Sequence, residues 1–78
     1  MLRHGYTLAR LDELARTAVF RFYWRFISVQ ERFDIARSAI AEGILAAAAA
    51  PAPDDLVRRA AKAIRAHVSD HANIWGRY

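Results

Sequence analysis

The run Ser28-Val-Gln-Glu-Arg-Phe-Asp-Ile-Ala-Arg-Ser-Ala-Ile-Ala-Glu-Gly-Ile-Leu45 decides the fold. It opens with a capping box: Ser28 can accept from the backbone N–H of the residue three positions on while Glu31 reaches back, relieving donors left orphaned at a helix start. This predicts a helix beginning at Val29. Val29, Phe33, Ala36, Ile40, Ile44 and Ala47 then recur at steps of three or four and form one apolar stripe. Such a stripe requires a facing surface elsewhere in the chain.

Upstream, Thr7 is an acceptable N-cap, and Leu8, Leu11, Ala15, Ala18, Phe22 and Phe26 follow at helical spacing, predicting helix 1 over residues 8–26. Residues 1–6 contain Gly5 and no period, which reads as a frayed lead. Only Ile27 and Ser28 separate helix 1 from helix 2, so the two should pack as a hairpin. Downstream, the alanine tract Ala46 to Ala50 favours helix, whereas Pro51 and Pro53 stop it. Helix 2 is therefore expected over residues 29–49, with 50–52 as linker. Pro53 suits the first turn of a third helix, and Asp54 and Asp55 suit the positive end of its dipole. That helix is expected over residues 53–73, with Val57, Ala60, Ala61, Ile64, Val68 and Trp75 as its stripe, Asp54 and Asp55 paired with Arg58 and Arg59, and order ending at Gly76. The expectation is all-α: a compact three-helix bundle forming a single domain over residues 1–78.

A chain of 78 residues hides only about 60% of the surface that its unfolded form exposes, so stability should be modest. There is no cysteine, hence no disulfide and no thiolate metal site. The run from Ile44 to Ala52 is too short to span a bilayer, and the N-terminus alternates polar and apolar residues instead of offering the continuous apolar stretch of a secretory leader. Both point to the cytoplasm. A net charge of +4 and a pI near 10.3 permit a polyanionic partner. Lys62 is the only lysine among twelve basic residues, the bias of a GC-rich genome.

The densest local feature is Phe20-Arg-Phe-Tyr-Trp-Arg-Phe26, which sets Phe22 and Phe26 on one face of helix 1 and Phe20 and Trp24 on another. Either helices 2 and 3 cover both faces, or Trp24, flanked by Arg21 and Arg25, anchors a partner. Arg58, Lys62 and Arg65 line one side of helix 3 with Arg59 adjacent. Such a stripe can follow a phosphate backbone or simply solvate a helix face. His67 and His71 share a face at i, i+4, but Val68 stands where a zinc protease needs Glu, so polar surface histidines are expected and no metal. No phosphate loop or nucleophile elbow is present, and Glu31, Asp34 and Glu42 sit on an amphipathic helix. No enzyme, cofactor or small-molecule substrate is expected.

The element order, together with Ala63-Ile-Arg-Ala-His-Val-Ser-Asp70 in helix 3, resembles region 2 of bacterial sigma factors, including short sigma-like proteins of actinobacteria and their phages. Arg65 and Asp70 match an Arg and an Asp of the family pattern, Lys62 a basic position, Glu42 the Glu of a Gln-Glu pair, and Ile44-Leu45 an apolar pair. Arg37 and Ser38 stand where the family has an acidic pair, Ala41 where it has Gln, and Arg59 where it has a Trp that supports strand opening. The resemblance implies a non-enzymatic transcription module: Arg37, Ser38, Ala41 and Glu42 on the exposed sides of helix 2 would meet RNA polymerase or another transcription regulator, and Arg58, Arg59, Lys62 and Arg65 would lie along promoter DNA. The alternative expectation is a small helical interaction domain, a homodimer through the second aromatic face of helix 1, with no DNA contact.

Overall fold

The structure, a computed structural model, describes residues 2–21 and 27–76, with residues 69–76 described as backbone alone. A 3-10 turn over Arg3–Gly5 precedes three helices, α1 (Leu8–Arg21), α2 (Val29–Ala46) and α3 (Pro53–Gly76), and no strand occurs among the described residues. This is the all-α three-helix bundle that the apolar periods predict. The remainder of the expected first helix, residues 22–26, lies outside the described residues.

Both predicted N-caps are in place. Thr7 Oγ1 accepts from the Arg10 N–H at 3.1 Å and its carbonyl from the Leu11 N–H, while Ser28 Oγ accepts from the Glu31 N–H at 3.1 Å. The Glu31 carboxylate, however, turns toward α3 and meets His67 Nε2 at 3.2 Å. At the start of α3 the Ala52 carbonyl receives the Asp55 and Leu56 N–H groups, with Pro53 in the first turn, where a missing donor is harmless.

Successive helices run antiparallel. Asp12 on α1 pairs with Arg37 on α2, and along the α2–α3 seam Gly43 lies beside Leu56 and Arg59 while Glu31 lies beside His67. Between the helices sits one core cluster of Leu11, Leu14, Ala15, Ala18, Val19, Ala36, Ile40, Ile44, Leu56, Val57, Ala60 and Ile64. Alanines at fully buried positions let the helix axes approach closely, and Ile40, Ile44 and Ile64 fill what remains. Leu14, Val19 and Leu56 join the predicted stripes because each helix meets two others, which widens its buried band. Leu8 and Val29 drop out, at 60% and 58% exposed. Each is the first residue of its helix, where a side chain leans back past the helix start. Arg32 is the one buried charged residue among those described.

The C-terminal end of α2 departs from expectation. The helix stops at Ala46, Ala47 is extended (φ −71°, ψ 133°), and the linker is 47–52. The N-terminal lead packs against this end. Arg3 Nη1 donates to the Leu45 carbonyl at 2.8 Å, His4 Nε2 donates to that of Ala47 at 2.9 Å, and Tyr6 Oη donates to that of Pro51 at 2.6 Å. The Leu2 N–H closes the turn on the Tyr6 carbonyl, and the side chains of both pack against the core. Reaching α2 in this way places His4 in the left-handed region (φ 62°), where a non-glycine residue costs about 1–2 kcal/mol, and Gly5 follows at φ 78°. At the other end of the chain α3 continues to Gly76, three residues beyond the expected end.

Candidate nucleic-acid interface

α3 carries its apolar residues Leu56, Val57, Ala60, Ala61 and Ile64 inward. The opposite face follows from the helical period: positions 58, 62 and 65 fall within a narrow sector pointing away from α1 and α2. Arg58, Lys62 and Arg65 are all exposed there. The Arg58 side chain is 81% exposed and touches only Asp55, at a loose 4.0 Å. The three charges thus rise along one helix face over two turns.

Arg59 departs from that face. Its Nε donates to the Ala39 carbonyl at 2.9 Å and its Nη2 lies 3.9 Å from Glu42, so the side chain lies across α2. Gly43 makes room for it: a Cβ at that position would come within 2.9 Å of Arg59 Cδ and 3.0 Å of Leu56 Cδ2. The guanidinium thus bridges the α2–α3 seam while half of the side chain stays exposed.

On α2, Ser38 and Glu42 are exposed. Arg37 is exposed in part, but its Nε donates to Asp12 Oδ1 at 2.6 Å, a charge-assisted bond that fastens α2 to α1. Ala41 is only partly exposed and packs against the core cluster. The set expected to face the polymerase therefore divides into two exposed residues, one engaged between helices and one partly buried. Arg21 is exposed at the end of α1, whereas Trp24 and Arg25 lie outside the described residues.

Among the described residues no group of three or more His, Asp or Glu side chains gathers to hold a metal. No helix among them is long and apolar enough to cross a membrane. No protein-family model matches the chain, and neither does any curated protein or solved structure.

Two features escaped the sequence reading. An open groove of about 310 Å³ lies between the end of α1 and the start of α2, lined by Arg16, Val19, Phe20, Val29, Gln30 and Phe33. Phe20, at 81% exposed, forms its rim, so the second face of helix 1 is uncovered at this point. Only the crossing of the two helices brings Val29 to Phe20, and no one-dimensional spacing encodes that. The second feature is buried Arg32. It lies four residues before Ala36 and eight before Ile40, so the period pointed inward while its charge argued for solvent.

Proposed function

We propose that this chain is a non-enzymatic transcription module of the cytoplasm that lays α3 along nucleic-acid phosphates and docks through α2 on RNA polymerase or another regulator. The observation that supports it is that Arg58, Lys62 and Arg65 are exposed together on one face of α3. The net charge of +4 agrees with a polyanionic partner, and the likeness to sigma region 2 supplies the transcription context. Three cations on one helix face can each displace a condensed counterion, which gives affinity and register without base readout. Arg59 is reassigned from phosphate contact to holding the helices together.

The test is duplex-DNA binding by fluorescence anisotropy across a salt series. The wild-type chain should show a negative slope of log affinity against log salt, and the triple variant R58Q/K62Q/R65Q should be shallower by about 2.7, at roughly 0.9 per lost phosphate contact. A wild-type chain without salt-dependent binding would remove the nucleic-acid half of the proposal. Retention of polymerase from the native host on the immobilised chain, reduced by Glu42→Arg, tests the docking half.

A second reading rests on Phe20. A helical interaction domain that buries the Phe20 groove against a second copy would need no DNA. Sedimentation separates the two: a dimer dissociated by Phe20→Ala favours this reading, and a monomer with the salt slope above favours the first.

A further inference from the structure

The end of α2 is a contest between two local preferences. Ala46 to Ala50 is the strongest helix-forming tract of the chain, and Pro51 excludes the α conformation from Ala50 and leaves the Ala47 carbonyl without a helical donor, but leaves 47–49 free to be helical. Nothing in residues 47–49 themselves opposes helix, yet Ala47 is extended. The contacts that hold the open form come from the other end of the chain: Arg3 on the Leu45 carbonyl, His4 on that of Ala47 and Tyr6 on that of Pro51. In place of a C-terminal glycine motif, Arg3 and His4 satisfy two of the carbonyls that the helix end leaves orphaned, and Tyr6 pins the linker beyond it. To do so the N-terminal segment holds His4 at positive φ, so the engaged state carries backbone strain that disengagement would relieve.

We propose that Leu2–Tyr6 is a releasable clasp that sets the length of α2. With the clasp engaged, α2 ends at Ala46 and the linker is 47–52. With it withdrawn, Ala47–Ala49 join α2 and the connection to α3 contracts to 50–52, still within the range that joins antiparallel helices. Any event that draws the N-terminal segment away, such as a partner gripping Arg3 or Tyr6, is thereby transmitted to the α2–α3 connection, immediately before the first turn of the helix that carries the basic face. The inference does not depend on what that face binds.

Backbone carbon chemical shifts of Ala47, Ala48 and Ala49 test it. In the full wild-type chain they should be non-helical. In the graded series Y6F, R3A/Y6F and R3A/H4A/Y6F they should move stepwise to helical values, with the 222 nm ellipticity gaining about three residues of helix. Methyl signals of Ile40, Ile44 and Ile64 verify that each variant remains folded, and the single substitution Y6F serves if the triple does not. Helical shifts at 47–49 in the wild type, or unchanged non-helical shifts in every folded variant, would overturn the clasp.

Discussion

At the scale of single residues, Gly43 and Arg59 form a linked pair. A helix-interior glycine costs about 1 kcal/mol relative to alanine, so Gly43→Ala would ordinarily stabilise. Here the new methyl group would meet Arg59 Cδ at 2.9 Å and Leu56 Cδ2 at 3.0 Å, and Leu56 is buried in the core. Overpacking of this kind costs about 1–3 kcal/mol. Gly43→Ala should therefore lower stability by about 1 kcal/mol net in urea denaturation, and by less in an Arg59→Ala background, which frees one of the two obstacles. The same pair explains why the contacts of Arg59 with α2 are not legible in the sequence. Its position is 100° around the helix from Arg58, at the edge of the basic stripe. Whether an edge arginine reaches outward or folds back depends on a gap in the neighbouring helix, and Gly43 gives no hint of facing Arg59 until the helices are paired. Ser28, by contrast, was legible because its cap is local. Ser28→Ala should cost about 1 kcal/mol in the same measurement.

At the scale of elements, the period of the apolar residues was sufficient to place all three helices, since tertiary packing and local propensity agree within each of them. They disagree at the end of α2, where propensity alone carries the helix to residue 49 and the hydrogen bonds from residues 3, 4 and 6 stop it at Ala46. The separation in sequence of those partners is more than forty residues, beyond the reach of any window-based reading. The α1–α2 pair is similarly non-local: Asp12 and Arg37 are 25 positions apart. Both side chains are partly exposed, so the bond should contribute no more than about 1 kcal/mol despite its short length. A double-mutant cycle of Asp12→Ala and Arg37→Ala should give a coupling energy of about 0.5–1 kcal/mol that shrinks in high salt. Loss of polymerase capture by Arg37→Ala is informative about docking only beside the Asp12→Ala variant, because both loosen α1 from α2 equally.

For the whole molecule, the division of labour is between an interior of alanines and isoleucines and a surface of arginines. A domain of this length is expected to have a net stability of about 4–12 kcal/mol. Its fully buried side chains are mostly small, so the three isoleucines Ile40, Ile44 and Ile64 carry a large share of the apolar burial. Ile40 sits in the core cluster on the central α2, with α1 and α3 on either side, and truncation there leaves a cavity that neighbouring alanines are too short to fill. Ile40→Ala should therefore cost about 2–5 kcal/mol, a large fraction of the total, and lower the melting temperature by about 8 °C or more, since about 1 kcal/mol corresponds to about 4–8 °C at this size. R58Q/K62Q/R65Q changes three exposed positions, so it should leave the melting temperature within a few degrees of wild type. The contrast matters for the functional test. If the triple variant lost DNA binding together with its fold, the basic face would be part of the scaffold. If it loses binding while keeping the wild-type melting transition, the face is a surface that the fold presents without needing it.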